Sequence, residues 1–130
     1  MQKVVIDTNI LVSALWSENG NPARLMSLIL SDMLVPCYDY RIMQEYREVL
    51  NRPRFSFTKA NVNEILNKIK ADGLSVTVPP VEDDFVDKSD KKFYEVAKYC
   101  QAVLITGNIK HYPPDDCVLL VADFLGAIRA

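Results

Sequence analysis

Short apolar runs of strand length alternate along this chain with segments whose apolar residues recur at helical spacing. Val4-Val5-Ile6 is β-branched and lacks polar alternation, as in a strand buried on both faces. Leu34-Val35, Val76–Val78, Val103–Thr106 and Val118–Val121 are further runs of this kind. Between them, Ile42, Tyr46, Val49 and Leu50 share one helical face, as do Val62, Ile65, Leu66 and Ile69, and Phe93, Val96, Ala97 and Cys100. Asp39, Thr58 and Ser89 precede these three segments and are predicted as their caps. Two earlier helices are predicted, from about Asn9 to Ser17 and from Asn21-Pro22 to about Asp32, the second with Asn21 as cap. Asp72-Gly73 should end the fourth helix, and Asp123 to Ile128 forms a sixth. Such alternation predicts an α/β fold with a parallel sheet covered on both faces. Ligands of such sheets bind beyond the carboxyl ends of the strands.

Gly20-Asn21-Pro22, Asn51-Arg52-Pro53, Pro79-Pro80 and Pro113-Pro114 punctuate the chain, but none reads as a domain linker. One domain over residues 1–130 is expected, since 130 residues do not support two independent cores. The longest apolar run, Cys117 to Ala122, is far too short to cross a bilayer. Asp7 sits where a signal peptide needs its apolar stretch, so a cytoplasmic protein without a membrane partner is expected. Cys37, Cys100 and Cys117 form no CxxC pair and His111 is the only histidine, which argues against a Cys/His zinc site. The three thiols read as small buried apolar residues.

A net charge of −2 argues against coating nucleic acid by global charge. Locally, Arg41, Arg47, Arg52, Arg54 and Lys59 make a basic stretch, and Glu82, Asp83, Asp84, Asp87 and Asp90 an acidic one. From charge alone, two solvated surface segments are the simpler account. Placement adds to this. Asp7 directly follows the first strand, and Asn108 lies just past the fourth. Asp90 opens the fifth helix, and Glu45 sits about two turns into the third. These elements can converge at one sheet edge, bringing Asp7, Glu45 and Asp90 around one cleft. Clustered carboxylates repel unless protonated or bound to a cation, and hard oxygen donors suit Mg²⁺ or Mn²⁺. Such ions can activate water and stabilise charge on a phosphodiester. Each residue also has a plainer reading. Asp7 can cap the first helix, Glu45 can pair with Arg41, and Asp90 can answer the helix dipole.

MQKVVIDTNILVSAL, then Glu45 in RIMQEYREVLNRP, then DKSDKKFYEVA, then VLITGNIKHYP, resemble the successive motifs of PIN-domain proteins. Within that family the chain is most similar to toxin components of bacterial toxin–antitoxin systems. The resemblance implies a three-layer α/β/α sandwich and a Mg²⁺- or Mn²⁺-dependent ribonuclease. It maps the acidic ligands onto Asp7, Glu45 and Asp90. Asn9 matches an Asn that orients the neighbouring carboxylate, and Thr106 the Thr of a TGD-like turn. It further implies a single-stranded RNA substrate, a cognate antitoxin and a homodimer. One departure is plain: Asn108 and Lys110 stand where many members carry Asp, which puts a second metal in doubt.

In the expected reaction Asp7, Glu45, Asp90 and Asn108 form the catalytic pocket, and Asp7, Glu45 and Asp90 hold the ion. Asn9, Arg47, Arg52, Arg54 and Thr106 lie on the substrate side. Arg52, Arg54, Phe55 and Phe57 can hold single-stranded RNA by phosphate pairing and stacking, or simply pack as a loop. Trp16 is expected in the core or an interface, and His111 in a loop without an identifiable partner. Trp16, Leu25, Leu28 and Ile29 suggest spare apolar surface for a homodimer. The alternative function is a weak or inactive PIN fold that binds RNA or an antitoxin. A phosphotransfer enzyme using Asp7 as nucleophile ranks last, because Asn9 stands where a second Asp is needed.

Overall fold

The computed structural model describes residues 2–82, 85 and 87–128; Asp83 and Asp84 of the acidic stretch lie outside them. Among the described residues, five strands form one all-parallel sheet: β1 (Gln2–Ile6), β2 (Leu34–Tyr38), β3 (Leu74–Ser75), β4 (Val103–Ile105) and β5 (Val118–Leu119). Six helices cover it: α1 (Thr8–Trp16), α2 (Asn21–Leu30), α3 (Tyr40–Leu50), α4 (Lys59–Asp72), α5 (Lys91–Cys100) and α6 (Val121–Ile128). This is an α/β/α sandwich with a central parallel sheet. Val4, Val5 and Ile6 of β1 are buried, as their unbroken apolar run requires.

The strand order is β3-β2-β1-β4-β5. The chain builds outward from β1 to β3, then returns to lay β4 on the other side of β1. Right-handed crossovers therefore put the helices of the first two connections on one face and α5 on the other. α5 lies across β1, β2 and β4. The reversal between β1 and β4 is the switch point where neighbouring strand ends open a crevice. Register pairs Ile6 with Ile105. The next residues, Asp7 and Thr106, therefore leave the sheet side by side.

Local chemistry sets most boundaries. The Asp39 carboxylate accepts from the Ile42 N–H, and the Thr58 hydroxyl from the Asn61 N–H, as their positions predict. Several boundaries differ from expectation; β2 runs on to Tyr38, and Val121 opens α6 instead of closing β5. Gly20, not Asn21, is the cap residue of α2, with Pro22 inside the first turn, where a missing N–H is equally harmless. Ser89 does not cap α5. Its N–H and hydroxyl both donate to Asp87, opening a 3₁₀ turn over Lys88–Asp90. The third strand lies at Leu74–Ser75 rather than Val76–Val78, because its partner β2 ends when Asp39 turns away to cap α3. The Val76 N–H still reaches the Tyr38 carbonyl at 3.0 Å, and Pro79-Pro80 then removes donors.

Core membership also departs from the sequence reading. Cys37 and Cys100 are buried, but Cys117 is half-buried. Leu25 and Ile29 face the core, which withdraws two of the four residues suggested as dimer surface. Trp16 is 65% exposed and so is not a core residue.

Gly73 ends α4 for a reason of space. Its φ of −81° is open to any residue. A Cβ there, however, would stand 2.3 Å from the Ile69 carbonyl oxygen and 2.6 Å from that of Pro36. Both are backbone atoms of packed elements, so neither can move aside cheaply. Gly73→Ala is expected to destabilise the protein by about 1–3 kcal/mol, as overpacking does. Chemical denaturation of the two proteins checks this, and equal midpoints would contradict it.

Candidate active site

The Asp7 carboxylate is buried just past the end of β1. Its backbone occupies the cap position of α1, but its side chain makes no capping bond. Instead Oδ2 accepts from the Thr106 hydroxyl at 2.8 Å and the Tyr112 hydroxyl at 3.0 Å. The backbone N–H of Asp7 continues the sheet to the Ile105 carbonyl at 2.9 Å. Asp7 is only 7% exposed, and among the described residues it forms no ion pair. A buried carboxylate met only by neutral donors has no opposite charge beside it. Tyr112 registers that charge: burial first, then Asp7, holds its phenol proton far more tightly than usual.

Thr106 is fully buried behind Asp7 and has no surface to offer a substrate. Its hydroxyl also accepts from the Asn108 N–H at 3.0 Å, so it fixes the turn that presents Asn108. Thr106 is therefore a positioning residue in this geometry.

Asp90 stands across the crevice, at the junction of the 3₁₀ turn and α5. Its pKa is raised, chiefly by burial, then by the charges of Asp7 and Asp87. His111 opposes that shift, with Nδ1 3.2 Å from Asp90 Oδ2. This is the partner that sequence inspection failed to supply for His111. Asp87 lies lower than an ordinary carboxylate because the Ser89 N–H and hydroxyl donate to it.

Glu45 projects from α3 toward the same crevice, with both oxygens engaged. One accepts from the Thr8 hydroxyl, and the other lies 2.7 Å from the Lys92 ammonium. Lys92 is only 13% exposed along its side chain, so screening of this pair is weak. The suggested Arg41 partner goes elsewhere, to Asp39 and Glu95. Next to Glu45, the buried Tyr46 hydroxyl donates to the Ile6 carbonyl and anchors α3 to the end of β1.

These groups line one cleft of about 260 Å³. Asp7, Asn9, Glu45, Asp90 and Asn108 line it, together with Arg52, Arg54 and Phe55. Arg47 is not brought in. It lies near Gln44 and Lys70 in a separate depression, because two residues along a helix turn a side chain about 200°.

The donor set suits a divalent ion in part. Asp7 and Asp90 offer hard oxygens, and each has one carboxylate oxygen without a protein hydrogen bond among the described residues. Their mutual repulsion is what a cation would relieve. Glu45 is already neutralised by Lys92. Among the described residues, no three His, Cys, Asp or Glu side chains come close enough together to hold one ion.

Comparison with known proteins agrees with this architecture. A family model described as PIN domain matches residues 3–110. The uncharacterized protein MJ1680 of Methanocaldococcus jannaschii is 35% identical over 109 residues, 82% of this chain and 70% of that protein. The family match contains Asp7, Glu45, Asp90 and Asn108, while His111 and Tyr112 lie just beyond it.

Two outcomes follow for the metal-free protein. Tyr112→Phe removes one of the two hydroxyl donors to Asp7 and is expected to cost about 1–3 kcal/mol, measured by denaturant unfolding. Asp90 holds a proton more tightly when folded than when unfolded. Its penalty on stability is absent below the ordinary value of 3.8 and grows as pH rises through the raised one. Asp90→Asn should therefore be more stable than the wild type at neutral pH in chelator. That advantage should vanish as pH falls below the ordinary carboxylate range. A constant difference across the titration would contradict it.

Proposed function

The chain belongs to the PIN-domain family, and on that premise we propose that it is an endoribonuclease cleaving single-stranded RNA with Mg²⁺ or Mn²⁺. PIN domains are generally nucleases that use divalent metals. The observation that carries the reading is the pair Asp7 and Asp90, two carboxylates facing one cleft at the sheet's switch point. Those two side chains hold the ion. The ion supplies positive charge at the phosphoryl oxygens and makes water a stronger acid. Asp7 keeps its direction because Thr106 and Tyr112 fix one oxygen and leave the other open. Asp90 is steadied in the same way by His111. Glu45 accepts a proton contact from the attacking water when Lys92 or Thr8 releases an oxygen. The Asn108 amide orients that water, and Asn9 borders it. Arg52 and Arg54, which line the same cleft, pair with the substrate backbone.

The reading extends to a cytoplasmic toxin held in check by a cognate antitoxin, and to a homodimer. What supports this part is the resemblance of motifs. No helix among the described residues is long and apolar enough to cross a membrane.

A second reading has its own observation. Both Glu45 oxygens are engaged, and Asn108 brings no charge, so anionic ligands are few. On that reading the fold binds RNA or antitoxin and cuts weakly or not at all.

One assay separates them. A panel of single-stranded RNAs is incubated with Mg²⁺ or Mn²⁺ at fixed salt, since phosphate contacts weaken with ionic strength. The wild type should cut, chelator should stop it, and Asp7→Asn or Asp90→Asn should abolish turnover. Asn108→Asp should raise activity or tighten Mn²⁺ affinity. If neither the wild type nor Asn108→Asp cuts any RNA, the binding reading replaces the catalytic one.

A further inference from the structure

Trp16 is the chain's only tryptophan, and it stands mostly open to solvent at the end of α1. Packing nevertheless fixes its orientation. The indole meets Phe55 and Phe57 edge-on, with centroids 6.2 and 6.0 Å away and rings 85° and 82° apart. Phe55 and Phe57 stack on each other at 5.4 Å, nearly parallel. A rigid aromatic cluster with an uncovered indole is a preformed surface for another flat apolar group.

Its position says which group. Phe55 lines the acidic cleft, so the cluster is continuous with it. Arg54 lines the same cleft, and its guanidinium lies 4.9 Å from the centre of the Phe55 ring. Arg54 forms no ion pair among the described residues, whereas Arg52 pairs with Glu48. Along α1, Asn9 borders the cleft and Trp16 follows two helical turns later on the same side, roughly 10 Å along the axis. From the cleft outward a ligand meets carboxylates, then a free guanidinium, then exposed aromatic surface. Single-stranded nucleic acid presents the complementary order of phosphates and unpaired bases.

We propose that Trp16, with Phe55 and Arg54, forms a subsite that stacks an unpaired RNA base beside the acidic cleft. Arg54 pairs with the phosphate leading to it. The subsite rests on the ribonuclease reading above, because it takes the strand from the same cleft. A second copy of the chain seated on Trp16 is the competing occupant.

The lone tryptophan is its own reporter. The full chain carrying Asp90→Asn, to prevent turnover, is titrated at fixed salt with a short single-stranded oligoribonucleotide bearing a fluorescein end label. Anisotropy reads binding, and Trp16 emission reads stacking. Emission should be quenched in step with anisotropy. Adding Trp16→Ala should weaken binding roughly 5- to 100-fold, the usual effect of losing one base–aromatic stack, and Trp16→Phe should weaken it less. A ribose–phosphate oligomer of the same length without bases should bind more weakly and leave emission unchanged. Binding with unaltered emission, and with equal affinity in Trp16→Ala, overturns the subsite and leaves the ribonuclease reading standing. No anisotropy change with any oligonucleotide overturns both. Emission that shifts with protein concentration alone, together with a light-scattering dimer lost in Trp16→Ala, assigns the patch to a second copy and overturns the subsite. If Trp16→Ala fails to fold, as judged by circular dichroism, the quenching titration on the Asp90→Asn chain decides by itself.

Discussion

The arrangement of the cleft depends on the bond between Thr106 and Asp7. Parallel pairing of β1 with β4 ends at Ile6 and Ile105, so the two residues that follow emerge adjacent at the switch point. One hydroxyl then does two things. It fixes a buried carboxylate from below and ties the Asn108 turn beside it. Tyr112 adds a second donor from a distant part of the chain. Everything else at the site is placed relative to this unit. Tyr46 brings α3, and so Glu45, to the end of the same strand by bonding to the Ile6 carbonyl. α5 crosses β1 and carries Asp90 in at its start.

That unit is electrostatically incomplete. Desolvating a carboxylate costs several kcal/mol unless its charge is matched, and two hydroxyl donors do not match it. Asp90 carries part of the consequence in its raised pKa. Glu45, by contrast, has the Lys92 ammonium against it. The cleft thus divides into a neutralised side on α3 and an uncompensated side between Asp7 and Asp90. A cation is drawn to the second. An ion that also recruits Glu45 must displace Lys92 or share the carboxylate with it, which ties any further metal to a local rearrangement of one side chain.

Legibility in the sequence followed the range of the interaction. Asp39 and Thr58 act on N–H groups three residues away, and both caps are where the sequence places them. The unbroken runs at Val4–Ile6 and Val103–Ile105 mark parallel strands covered on both faces: all but the half-buried Val103 are buried. Where two local devices competed, the wrong one was chosen. Ser89 has the right chemistry for a cap, but Asp87 claims its hydroxyl first. Gly73 ends α4 where the sequence places the stop, and the structure adds that a Cβ there would meet the Ile69 and Pro36 carbonyl oxygens. The pairings that define the cleft were beyond reach. Tyr112 meets Asp7 across 105 positions, Lys92 meets Glu45 across the gap between α3 and α5, and His111 meets Asp90 from the loop after β4. No local pattern encodes them.

The same reasoning reconciles a chain of net charge −2 with the polyanionic substrate proposed for it. Global charge governs long-range steering, but exposed charges beyond about a Debye length are screened to little effect in salt. What a strand meets at contact distance is the local order of charge. On the ribonuclease reading proposed above, a cation between Asp7 and Asp90 would offset the repulsion of phosphate by the acidic interior, so that metal occupancy and substrate entry would reinforce one another. Arg52 and Arg54 line the same cleft as those carboxylates. On that reading the ion would strengthen docking, and the basic and aromatic side chains of the cleft would still contribute without it. RNA affinity measured with and without Mn²⁺ should differ in the direction that links the two.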